Sequence, residues 1–147
     1  MSPFLAQALH TAYQSFNALP TWMLLGLGAA LGAGCRYGLL RYFSTEWQGI
    51  CFINLLGCFG FGLGVGLMLA LPERFNTPAF KVFFLTGGMG AMTTFSSYLF
   101  NLHELLNQSP MAWQTAVLNL LLQHGLGLGL MSLGIVMTLR LSRWLSF

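Results

Sequence analysis

The chain has 147 residues, of which 56% are hydrophobic and 6% charged, and its mean hydropathy is +0.70. A soluble domain carries about 25% charged residues, so this composition excludes an ordinary water-soluble fold and points to a membrane protein. The net charge of +3 comes from nine charges scattered mostly at the ends of apolar runs, which excludes a basic nucleic-acid surface.

Residues 1–20 contain no Lys or Arg, so they do not read as a secretory signal. Phe4, Leu5, Ala8, Leu9, Ala12 and Phe16 fall on one helical face, which predicts an amphipathic extension lying at the membrane interface; a disordered tail is the alternative. The rest, 21–147, reads as one membrane domain. About 20 apolar residues are needed to cross the hydrocarbon core, and four stretches meet that length: 21–43, 48–71, 80–106 and 112–139. STEWQG, LPERFNTP and NQSP punctuate them, and RLSRW leaves a basic, aromatic end at the membrane edge. Arg74, Lys81, Arg140 and Arg143 gather on one side against Arg41 and Arg36, a slight bias that places both termini in the cytoplasm.

Span one carries Gly28 and Gly32 leading to Arg36, and span two carries Asn54, Cys58, Gly62 and Gly66 at four-residue intervals. Span four carries Thr115, Asn119, Gln123 and Gly127 in the same register. Small residues let helices approach closely in lipid, and three such stripes predict an oligomer, most simply a twofold dimer. Arg36 must face protein, water or an anion unless it snorkels to the headgroups. Asn54 and the Thr115 stripe serve equally as interhelical glue or as pathway lining, and His124 beside that stripe reads as structural. Cys35, Cys51 and Cys58 lie in apolar runs without metal-ligand spacing, so they read as small hydrophobes.

The third span is interrupted by GGMGAMTTFSSYLF over residues 87–100. A break at membrane depth needs protein or water to satisfy its backbone, and its freed carbonyls suit small cations. Phe95 and Tyr98 come next, three residues apart, and aromatic rings turn electropositive edges to an anion. A glycine-rich packing kink with two core aromatics fits the same spacing.

GMGAMTTFSS, INLLG and GAGCRYGLL occur in an order and spacing that resemble the Fluc (CrcB) family of fluoride channels across residues 24–140. The resemblance implies an all-α membrane protein of four transmembrane helices with a broken third helix, assembled as an antiparallel, dual-topology homodimer in the plasma membrane. It implies passive fluoride export through two pores at the subunit interface. It further implies a structural sodium ion on the backbone carbonyls of Gly90 and Thr93, with Phe95, Tyr98, Asn54, Thr94, Ser97 and Arg36 along the pore or its vestibule. The chain departs from the family pattern at several positions. Ala91 replaces a glycine, Tyr98 a phenylalanine, Leu99 a serine and Asn101 a glutamate, and Ile50 stands where the second span normally begins Gly-Thr. The alternatives are a non-conducting or heterodimer-partner subunit and, less favoured, a small drug–proton antiporter, which needs a carboxylate at a span centre that this chain lacks. No nucleophile is paired with a base at plausible depth, so the chain is not read as an enzyme.

Overall fold

The structure, a computed structural model, describes residues 19–108 and 112–145. Helix α1 runs Leu19–Leu40 and α2 Glu46–Ala70, succeeded by the short turns α3 (Pro72–Phe75) and α4 (Pro78–Phe80). A π-helical segment, Lys81–Met89, continues into α5 (Gly90–Met92); after a break come α6 (Phe95–Gln108) and α7 (Ala112–Leu145). The amphipathic extension expected over 1–20 lies outside the described residues, except that Leu19 and Pro20 open α1. Every regular element among the described residues is helical.

Among the described residues, three helices are long and apolar enough to cross a membrane: Pro20–Leu40, Glu46–Ala70 and Ala112–Trp144, with hydropathies of 1.4, 2.0 and 1.7. The third segment, expected to be broken, is divided into pieces over residues 81–108. The fourth helix continues beyond residue 139 to Leu145. Charges end a hydropathy run but not a helix, and at 1.5 Å per residue α7 is about 50 Å long against a core of about 30 Å. Helix α2 starts where Thr45 Oγ1 accepts the Gln48 N–H at 3.4 Å, and Glu46 in its first turn complements the helix dipole.

Backbone contact organises the packing. A Cβ on Gly28 would fall on the Phe83 carbonyl and one on Gly32 on the Gly88 carbonyl, so α1 lies directly on the π segment. In the same way Gly62 meets the Met131 backbone and Gly66 meets Thr138, which joins α2 to α7. At these four glycines the close approach is made within the subunit. The few fully buried side chains, Ile50, Ile53 and Tyr98, sit where α2, α6 and α7 converge. Leucines and other large apolar side chains cover the outside, as suits a molecule whose solvent is lipid.

Candidate functional site

The interruption in the third segment is confined to Thr93 and Thr94. The glycines before it are helical: Gly87 and Gly88 belong to the π segment, Gly90 opens α5, and no glycine among the described residues has positive φ. Their purpose is close approach. A Cβ on Gly87 would stand 2.8 Å from the Leu25 carbonyl oxygen. The expectation that this glycine run is itself the flexible break is thereby corrected. The break comes from Thr93, whose φ of −78° and ψ of 155° turn the chain extended.

Asn54 on α2 spans that break. Its Oδ1 accepts the Thr94 N–H at 2.8 Å, and its Nδ2 donates to the Thr94 carbonyl at 3.1 Å. One side chain thus satisfies both backbone groups of a residue that has left the helix, as membrane depth requires. An amide has two Nδ2 hydrogens, so these bonds leave one over. Of the two roles its position left open, these bonds show the interhelical glue.

Thr94 caps α6: its Oγ1 accepts the Ser97 N–H at 3.4 Å and lies 3.1 Å from Ser97 Oγ, to which it donates. Thr93 Oγ1 donates back to the Met89 carbonyl at 3.1 Å. Arg36 reaches across from α1, and its Nη1 donates to the Thr93 carbonyl at 3.3 Å. Arg36, Asn54, Thr93, Thr94 and Ser97 are therefore one hydrogen-bonded cluster around the break.

Two carbonyls in this cluster have lost their helical donors. In a continuous helix the Thr94 N–H would close onto Gly90 O, and the Ser97 N–H onto Thr93 O. Here the first goes to Asn54 and the second to the Thr94 hydroxyl. Gly90 O receives the Thr93 hydroxyl at 3.5 Å, a long contact, and Thr93 O keeps a second lone pair beside its bond to Arg36. Hard, neutral oxygens of this kind suit a monovalent alkali cation.

Asn54, Cys58, Thr93, Phe95, Tyr98, Gln123 and His124 line a cavity of about 240 Å³. The two expected rings both border it but in different settings: Phe95 is 64% exposed and Tyr98 1%. Gly90 and Arg36 stand outside its lining. Sequence reasoning missed Trp47, whose ring stacks on Tyr98 with centroids 5.6 Å apart and planes at 19°; it stands in the first turn of α2, within the STEWQG stretch read as punctuation between spans. Gln123, from the polar stripe, donates to the Cys51 carbonyl at 3.1 Å, while Asn119 bonds the Thr115 carbonyl of its own helix. His124 turns its ring edge-on to Tyr98, 6.4 Å between centroids, and pairs Nδ1 with its own helix at Leu120 O. The three cysteines are free thiols.

A bundle of long apolar helices, with a broken segment held at depth by an amide and a guanidinium, defines a multi-pass membrane protein with an internal polar site. Residues 23–135 match the family described as CrcB-like protein, Camphor Resistance (CrcB). The fluoride-specific ion channel FluC of Beijerinckia indica is 36% identical over 126 residues, 82% of this chain and 97% of that protein. Those of Desulforapulum autotrophicum and Chlorobium phaeobacteroides are 32% and 35% identical, over 79% and 66% of this chain and 94% and 77% of theirs. The chain belongs to the CrcB family, as its motifs indicate.

Proposed function

We propose that this chain is a subunit of a fluoride-specific channel that lets cytoplasmic fluoride leave passively across the plasma membrane. The observation that carries the reading is the Asn54 bridge, which satisfies the broken backbone and leaves one amide hydrogen unused on a side chain that shares a cavity with Phe95 and Tyr98. Fluoride is a small anion that needs donors and positive ring edges in place of water, yet a fixed full charge at that point would trap it. The negative-inside potential drives the anion outward by about 2.3 kcal/mol per 100 mV. No ATP site or proton-exchanging carboxylate enters this scheme, and the relatives bear the name of a channel rather than an enzyme.

The carbonyls of Gly90 and Thr93 would hold a sodium ion, which would supply fixed positive charge at the break and tie it down. Residues 81–108 complete the four-crossing bundle as its broken third crossing. Two subunits run antiparallel, so that the exposed Phe95 faces a partner. Gly125 and Gly129 on α7, where a Cβ would meet nothing within 4 Å, offer the close approach such a dimer uses.

The test is fluoride efflux from liposomes holding only the purified chain. Efflux in sodium that excludes chloride is the expected result; no efflux from folded protein would sink the homodimer reading and leave a partner subunit to be found. Replacing sodium throughout by an organic cation is expected to cut the rate at least tenfold. A rate indifferent to sodium would remove the ion from the scheme. The double substitution Gly125→Leu, Gly129→Leu is expected to keep helical content and convert dimer to monomer in detergent, as read by light scattering. An unchanged mass would place the interface elsewhere.

A further inference from the structure

The C-terminal turns of α2 and α7 form a groove that takes no part in the cluster at the break. The two helices run side by side in the same direction, since Gly62 meets Met131 and Gly66 meets Thr138. A Cβ on Gly127 would stand 3.2 Å from Cys58 Sγ, so the middle of α7 lies level with the middle of α2. Along this seam lies a groove of about 570 Å³. Leu63 and Leu67 form its α2 wall. Met137, Leu141 and Trp144, on one face of α7, form the other together with Arg140.

Depth sorts these residues into two zones. At 1.5 Å per residue, Leu63 and Leu67 stand about 8 and 14 Å from the midpoint of α2, inside a hydrocarbon half-thickness of about 15 Å. Arg140 and Trp144 stand about 17 and 23 Å from the midpoint of α7, at the level of the headgroups. One groove therefore starts among acyl chains and ends among phosphates, with an exposed guanidinium and an 81% exposed indole at its outer end. The charge at that end suits an anion. Arg140 and Arg143 close α7, and Arg74 and Lys81 follow α2, against the single carboxylate of Glu73 in that connection.

We propose that this groove is a binding site for one anionic diacyl phospholipid. An acyl chain lies along Leu63, Leu67, Met137 and Leu141, and the phosphate sits on Arg140, whose planar fork matches two phosphate oxygens. Trp144 covers the glycerol region, the depth at which indoles settle in a bilayer. A zwitterionic lipid brings its own cation to the same basic end and binds less well. The bound lipid bridges the ends of α2 and α7 and strengthens their seam. Leu63 is nine residues beyond Asn54, about 14 Å along α2, so the lipid acts apart from the break, whatever ion passes there.

The test uses the whole chain, purified in neutral detergent and stripped of lipid, with native mass spectrometry as the readout. Phosphatidylglycerol, phosphatidylcholine and inorganic phosphate are added separately. One phosphatidylglycerol per subunit is expected to bind saturably, at concentrations where the other two leave the mass unchanged. Arg140→Gln is expected to raise its half-saturation about tenfold, as the loss of a charge-assisted bond does. Leu141→Trp fills the groove while keeping the charge, and the same direction is expected. Arg74→Gln removes an equal charge outside the groove and is expected to change nothing; circular dichroism verifies that each variant is helical. Equal weakening by Arg74→Gln and Arg140→Gln would reduce the effect to general basicity and overturn the site. Equal retention of phosphatidylcholine, or undiminished binding in Leu141→Trp, overturns it as well. Loss of the dimer rather than of lipid in Leu141→Trp would give the groove to a second copy of the chain, and the lipid proposal fails.

Discussion

Asn54→Leu is expected to abolish fluoride efflux while the protein still inserts as a helical bundle. Leucine is of similar length to asparagine but cannot bond, so the Thr94 N–H and C=O both lose their partner. Each unsatisfied backbone group costs about 1–3 kcal/mol, and in lipid no water replaces the lost bonds. Together they disfavour the observed break by about 2–6 kcal/mol, which at 1.4 kcal/mol per decade is a loss of roughly thirtyfold or more. Asn54→Asp separates holding the break from donating to the ion. It keeps an acceptor for the Thr94 N–H, loses the donor to the Thr94 carbonyl, and adds a charge facing the cavity. It is expected to fail as well. Gln123→Leu serves as the comparison, since it removes one bond to a carbonyl within helix α2; about 1 kcal/mol is expected there. Liposome efflux measures each, with gel filtration to verify the fold. Robust flux through Asn54→Leu would show that the bridge is dispensable.

The second large effect concerns stability. Gly32→Val places carbon where the Gly88 carbonyl stands, so α1 cannot stay seated on the π segment. Overpacking against side chains costs about 1–3 kcal/mol. Here the obstacle is backbone, so the cost is expected at or above that range, with loss of folded protein in detergent. Arg36 lies one helical turn further along α1, so its bond to Thr93 would be lost with the seating. Gly34→Ala is the internal control: a Cβ there meets nothing within 4 Å, and alanine favours a helix by about 0.5–1 kcal/mol over glycine. Thermal unfolding of the two variants beside the parent decides the matter. Equal midpoints for Gly32→Val and Gly34→Ala would mean that the close approach is not a packing constraint.

Much of this architecture is written locally. Apolar length and turn residues place α1 and α2 within three residues of their observed ends, because span length is set by the membrane and not by tertiary detail. The glycine stripes are equally plain, but their partners are not. Gly28 and Gly32 face the π segment more than fifty residues away, and periodicity says which face is small without saying what lies against it. The same limit applies to Asn54 and Arg36. Their residue types announce polar work in lipid, while their partners, Thr94 and Thr93, are set only by how α1 and α2 dock. The position of the break is hidden for a different reason. Glycine signals both backbone freedom and close approach, and here close approach is its use; the chain leaves the helix at two threonines, the second of which caps α6. Tyr98 and Phe95 look alike as spacing, yet one is buried and the other faces outward, a difference fixed by Trp47 and α7.

The order of these partners along the chain has a bearing on biogenesis. Chains emerge from synthesis N-terminus first. Gly28, Gly32, Arg36 and Asn54 all precede the segment they receive, so the groove, the guanidinium and the amide are made before Thr93 and Thr94 appear. The most lipid-incompatible stretch of backbone thus emerges after the groups that satisfy it and need not wait for a later helix. Helix α7 comes last and docks through Gly134 against α2, along a face that the broken segment leaves open.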